Sequence, residues 1–181
     1  MKLIVHNRNL VLCALALVLL SSCRTAPEEK LRLAAAEGNV LRVQTFLEQG
    51  LSPQASDERG VTPLFLAAQK GHRDVVALLL EQGAAWNQAR QDGVTPLFIA
   101  AREGHQDVVA LFLNKGANVN AQSGVGGVTL LHVSAYRGDQ ALATLLLQHG
   151  ADKNARMSSG ERPMDMARQQ GHHALIPLLE P

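Results

Sequence analysis

The chain has 181 residues, enough for one domain, and is 46% hydrophobic but only 3% aromatic. Its apolar content is therefore mostly Ala, Leu and Val, which suits close-packed short helices better than a sandwich or barrel. The formal net charge is +1, and without Lys2 and Arg8 the balance is 15 basic against 16 acidic residues, which provides no electrostatic footing for nucleic acid.

The first elements in chain order read as an address. Lys2 and Arg8 form a positive start, Leu10 to Leu20 is an unbroken apolar run, and Ser21-Ser22-Cys23 follows. That order describes a secretory signal over residues 1–22. The run is too short to span a bilayer, which needs about 20 apolar residues. Leu20-Ser21-Ser22-Cys23 resembles the bacterial lipobox, which implies that Cys23 is acylated and becomes the first mature residue. Cys13, the other cysteine, follows the bulky Leu12 and does not fit that role. Residues 24–181 contain no cysteine, which excludes a disulfide framework and a thiolate metal site there. In the lipobox pattern an Asp after the Cys retains the protein in the inner membrane. Arg24 stands there instead, so the resemblance implies an outer-membrane lipoprotein facing the periplasm. Residues 23–27 read as the lipidated Cys and a short linker, and four extended residues reach roughly 13 Å.

Residues 28–181 repeat. Gly38, Gly71, Gly104, Gly138 and Gly171 recur in step, as do Gly50, Gly83, Gly116 and Gly150, and Gly60, Gly93, Gly127 and Gly160. One extra residue falls in the glycine-rich stretch Ser123-Gly124-Val125-Gly126-Gly127, a loop tip where an insertion costs little. Aligned on these glycines, GVTPLFLAAQKGHRDVVALLLEQGA (60–84), GVTPLFIAAREGHQDVVALFLNKGA (93–117) and GVTLLHVSAYRGDQALATLLLQHGA (127–151) are three copies of one unit, flanked by weaker copies at 31–50 and 160–180. Thr62 and Thr95 precede Pro63 and Pro96, an N-cap followed by proline at the first helical position. Thr129 can cap in the same way, with Leu130 in place of the proline. Gly71, Gly104 and Gly138 suit the left-handed turn that ends a first helix, and the Val-Val and Leu-rich runs form a second helix ended by Gly83 and Gly116.

A period of about 33 residues with Thr-Pro-Leu, Ala-Ala, Gly-His and a Leu run resembles the ankyrin-repeat family. The resemblance implies an all-α repeat solenoid of helix–turn–helix units joined by β-hairpin loops. The repeats fall at about 28–56, 57–89, 90–122, 123–156 and 157–181. One repeat cannot bury its own core, so the end repeats are expected to be atypical and more polar. Lys30, Arg32 and Glu37 are expected to break up the first helix, and Arg162, Asp165, Arg168 and Gln169 the last, with Pro177 and Pro181 limiting helix extension.

His72, His105 and His172 invite a metal site, but equivalent positions in stacked helices lie about 8–10 Å apart, and zinc needs every ligand at about 2 Å. A structural role at the helix turn is expected instead. The family resemblance implies a histidine after Thr-Pro-Leu that bridges repeats. Phe65, Phe98, His132 and Asp165 hold that position, and only His132 matches. No nucleophile motif or phosphate loop occurs, and no enzyme activity or cofactor is expected.

The resemblance also implies binding through hairpin tips and the exposed side of the first helices. The tips are Asp57, Glu58 and Arg59; Arg90, Gln91 and Asp92; and Ser123, Gly124 and Val125. The helical positions are Gln69 and Lys70; Arg102 and Glu103; Tyr136 and Arg137; and Gln169 and Gln170. Trp86 stands where the next repeat has Val119, and packing at the hairpin base is expected of it. Lipoproteins of this kind resemble periplasmic immunity proteins that bind toxic effectors, including lipases delivered by type VI secretion. The alternative is an envelope accessory protein supporting an enzyme such as a catalase. Either reading makes the partner another protein, with the membrane reached through the lipid anchor and the chain alone a monomer. An effector injected into a host cell is disfavoured by the lipobox, and a catalytic lipoprotein by the missing nucleophile constellation.

Overall fold

The computed structural model describes residues 26–124 and 126–180. Cys23, the signal segment and Val125 lie outside them. The described residues form five helix pairs: α1 (Pro27–Ala36) with α2 (Val40–Glu48), α3 (Pro63–Lys70) with α4 (Arg73–Glu81), α5 (Pro96–Glu103) with α6 (Gln106–Asn114), α7 (Leu130–Arg137) with α8 (Gln140–Gln148), and α9 (Pro163–Gln169) with a short 3-10 turn (His173–Leu175) running into α10 (Ile176–Leu179). The first helices stack in one row and the second helices in another, and each pair contacts its neighbours in the chain. The fold is an all-α repeat solenoid.

Local chemistry explains each unit. The Thr62 and Thr95 hydroxyls accept from the Phe65 and Phe98 amides at 3.1 and 3.2 Å, closing α3 and α5 at their N-termini. Proline then opens each helix, where its missing N–H is harmless. Ala67, Ala68, Ala100 and Ala101 are fully buried, because small side chains let first helices approach each other. Leu79, Phe112 and Leu146 fill the space between the two rows. α3, α5 and α7 end on Gly71, Gly104 and Gly138, with φ of 75°, 91° and 71°.

The turn glycines also receive the next repeat. The His72 ring donates through Nε2 to the Ala36 carbonyl at 2.9 Å, His105 to Gln69 at 3.0 Å, and His172 to Tyr136 at 3.1 Å. Each acceptor stands two residues before a turn glycine. In the fourth repeat Asp139 replaces the histidine, and the Arg137 guanidinium donates to the equivalent Arg102 carbonyl instead. The histidine rings lie over the glycines, and the tip of the Arg137 guanidinium does so at Gly104. A Cβ at Gly38, Gly71 or Gly138 would come within 2.6, 2.4 or 2.6 Å of the histidine ring, and one at Gly104 within 2.6 Å of Arg137.

Several expectations need correction. α1 runs unbroken for 10 residues and begins at Pro27, inside the segment read as linker. Of its charged side chains, Glu28, Glu29 and Lys30 are exposed, and Arg32 is half-buried beside the Asp57–Arg59 tip of the next repeat. In the last repeat Arg162 and Asp165 do not disrupt α9 but cap it: the Asp165 carboxylate accepts from the Arg162 backbone N–H at 3.0 Å and from its guanidinium at 3.1 and 3.3 Å. Pro177 lies in the first turn of α10 and does not end it. The hairpin loops do not form strands among the described residues. Each is closed by one backbone bond across its base, Asp57 to Val61, Arg90 to Val94, Ser123 to Val128 and Met157 to Glu161, three of them with a second bond inside the turn from Gly60, Gly93 or Gly160, and only Ser123 and Val128 form a bridge. Trp86 is 38% exposed where Val119 is buried, so it does not pack as its counterpart does.

Two glycines separate backbone conformation from inter-repeat packing. Gly71 has φ 75° and the His105 ring above it, whereas Gly83 has φ 81° and open space. Gly83→Ala should cost about 1 kcal/mol for the left-handed backbone alone. Gly71→Ala should cost roughly 1–2 kcal/mol more, because His105 must leave its hydrogen bond and its contact. Urea denaturation of the two variants measures the difference. Equal losses would mean that the histidine seat contributes nothing.

Candidate binding face

The hairpin tips and first helices define one continuous face. Asp57 Oδ1 accepts from the Arg59 and Val61 amides at 2.9 and 2.8 Å, which shapes its own tip. Glu58 and Arg59 are exposed beside it. The Gln91 amide N–H donates to the Arg59 carbonyl at 3.0 Å, and its side chain donates to the Glu58 carbonyl. Gln91 thus ties two tips together. Gln69 lends its carbonyl to His105 and is half-buried, and Lys70 is exposed. Arg102 and Glu103 are exposed and lie 3.5 Å apart at the end of α5. Tyr136 is 58% exposed at the end of α7, next to Arg137.

Arg90 and Asp92 form a pair, with Nε to Oδ1 at 3.0 Å and a second, closer contact between the guanidinium and Oδ2. That bond to Arg90 holds the Asp92 carboxyl down at about 2, so it stays ionised and its charge is matched locally. The Arg90 guanidinium also lies 5.3 Å from the centroid of the Phe65 ring, which is only 1% exposed.

One repeat further on, this arrangement changes. Ser123 occupies the position of Arg90, and Phe98 the position of Phe65. The small serine cannot cover the ring, and Phe98 is half-buried and forms the floor of a pocket of about 470 Å³. Val94, Val128, Val133 and Met166 line it, Tyr136, Arg102 and Arg137 stand at its helical end, and Asp92 and Gly124 at its hairpin end. Gly124, in the stretch that carries the extra residue of the fourth repeat, lines this mouth. The tips still touch there, since a Cβ on Gly93 would sit 2.9 Å from Gly124 Cα. Of the residues read from sequence, the structure therefore gathers Asp92, Ser123, Gly124, Arg102, Tyr136 and Arg137 around one pocket. Asp57, Glu58, Arg59, Gln69, Lys70, Arg90, Gln91 and Glu103 do not line it, nor do Gln169 and Gln170. Phe98, Val94, Val128, Val133 and Met166 were missed. The sequence signal for them was the substitution of Ser123 for Arg90 in aligned repeats.

His132 is fully buried in the wall of this pocket. Its Nδ1 accepts from the Thr129 hydroxyl at 2.8 Å, and its Nε2 lies 3.1 Å from the Glu161 carbonyl, to which it donates across repeats. Both nitrogens are satisfied by the neutral ring. Among the described residues no cluster of three or more His, Cys, Asp or Glu is arranged to hold a metal, and no helix is long and apolar enough to cross a membrane.

A continuous recognition face on a rigid helical stack defines a protein–protein interaction module. Residues 31–123 match Ankyrin repeats (3 copies), and residues 126–158 match a further Ankyrin repeat, together more than half of the chain. The chain belongs to the ankyrin-repeat family. No functionally curated protein matches it significantly.

Burial pushes the His132 imidazole below its ordinary value of 6.5, while the Glu161 carbonyl and carboxylate oppose that shift without reversing it. The unfolded chain therefore binds the proton more readily, and the stability that the neutral ring contributes is lost as pH falls from about 6.5 through the folded value. Chemical denaturation at about pH 7.5 and about pH 5 should show a drop that is smaller in His132→Phe, which mimics Phe65 and Phe98. An equal drop in both proteins would remove His132 as its source.

Proposed function

We propose that the protein is a membrane-anchored binding module of the bacterial envelope, acting as an immunity protein that captures and neutralises a toxic effector enzyme such as a type VI secretion lipase. The observation that carries this reading is the proximity of anchor and face. Only Arg24, Thr25 and Ala26 separate Cys23 from Pro27, the first residue of α1, so a lipidated chain would hold its recognition face within a few nanometres of lipid. An acylated Cys23 on the periplasmic side of the outer membrane would place that face in the path of an enzyme attacking lipid. Inhibition by occlusion requires a rigid surface and no chemistry of its own. The stacked repeats supply such a surface, with Tyr136 and the arginines of the type that dominates interface energetics.

Deletion of the gene should sensitise cells to the toxin encoded beside it, and Cys23→Ser should move the protein from the membrane to the soluble fraction and weaken protection. Survival counts and fractionation measure both. A deletion strain that resists the toxin as well as the wild type would overturn the immunity role. Recovery of a catalase as the stoichiometric partner would support an accessory role instead.

A further inference from the structure

We propose that the pocket above Phe98 receives one bulky apolar side chain of a partner protein, carried beside a carboxylate that pairs with Arg137 and Arg102. This rests on the reading of the chain as a protein-binding module and names what its face recognises.

Four observations support the occupant. The floor and walls are hydrocarbon: Phe98, Val94, Val128, Val133 and Met166. The polar groups in the wall are already satisfied, since His132 uses both nitrogens and the Ser123 hydroxyl reaches the Gly93 carbonyl at 3.3 Å. Among the described residues no buried side-chain nitrogen or oxygen lacks a partner, so nothing in the pocket asks for a polar guest. The charge at the mouth is one-sided. Asp92 is matched by Arg90, whereas Arg137 has no carboxylate within 4.0 Å among the described residues, and Arg102 has only the exposed Glu103 at 3.5 Å. The helical end of the pocket therefore offers unmatched guanidinium for a carboxylate.

The pocket lies open along the face of hairpin tips and first helices, with exposed Tyr136, Arg137, Arg102, Asp92 and Gly124 at its rim. A free amphiphile in a dedicated site buries about 70–90% of its surface. An open pocket on a recognition face suits a side chain whose backbone stays outside. The acidic residue would lie roughly one to three positions along that backbone, at about 3.3 Å per residue. The same pocket is closed one repeat earlier by Arg90, so the specificity belongs to this register of the stack.

The test uses the full-length protein in lipid nanodiscs, panned against a phage library of random dodecapeptides. Enriched peptides should carry Trp, Phe, Leu or Met beside Asp or Glu. Synthetic copies should bind Ser123→Arg about tenfold to a hundredfold more weakly, since the arginine would lie over Phe98 as Arg90 does over Phe65. Tyr136→Ala, at an exposed position, should weaken binding without altering the fold, and changing the peptide's acid to Lys should do the same. Circular dichroism melts confirm that the variants are folded. Peptides that bind Ser123→Arg as well as wild type would overturn the pocket proposal and leave the interaction-module reading standing. Failure to enrich such peptides would overturn it too, as would saturable binding of sodium oleate that Ser123→Arg abolishes while peptides are ignored.

Discussion

The stack depends on one contact made repeatedly. A carbonyl two residues before each turn glycine is left over when the first helix ends, because the last carbonyls of a helix have no partner within it. The next repeat supplies a donor, His72, His105 or His172, and in one case Arg137. The donor ring must lie where a Cβ would stand, so glycine is required twice: once for its left-handed backbone and once for its empty face. Neither requirement alone explains the residue. Gly83 has the same backbone and no ring above it.

This contact links each repeat only to its neighbour. The hairpin side is stitched in the same nearest-neighbour manner, by Gln54 to Gly83 and Ala85, and by Asn120 to Gly150 and Asp152. Stability then accumulates along one dimension, from intrinsic repeat terms and interface terms. A consequence is tolerance. Asp139 can replace a bridging histidine because Arg137 reaches the same carbonyl from the preceding helix end, and Asp139 is thereby released to cap α8 through the Leu142 amide at 2.9 Å. Arg137, read from sequence as a partner contact, thus holds the stack through the Arg102 carbonyl and also lines the pocket.

The repeat frame was legible because its signals are local. Thr62-Pro63 and Thr95-Pro96 specify helix starts within four residues, and the turn glycines specify ends. Charged residues at the two ends were harder to interpret. Arg162 and Asp165 look unfavourable for a packed helix, yet three residues apart they close on each other as a cap, which depends on side-chain direction and not on composition. Trp86 was misjudged for a related reason. Its equivalence to Val119 is an equivalence of backbone, and a larger ring in the same place meets solvent.

The binding face divides along the same line. Its polar rim could be listed from the repeat phase, since the residues before each turn glycine and at each tip vary while the frame persists. Its apolar floor could not, because Phe98 carries the same letter as Phe65 and behaves differently. What distinguishes them stands one repeat away: Arg90 covers one ring and Ser123 leaves the other open. In a solenoid, a residue's exposure is decided by a neighbour from the next repeat, here 25 positions on, so a site appears wherever two successive repeats fail to match. Here the mismatch falls in the stretch that carries the one inserted residue, and three departures of the fourth repeat, Gly124 at its tip, His132 and Tyr136, line the pocket, whereas Leu130 and Asp139 serve the core and the helix turn. A repeat kept only for packing has no reason to place three departures around one pocket, and that grouping is the structural argument for recognition there.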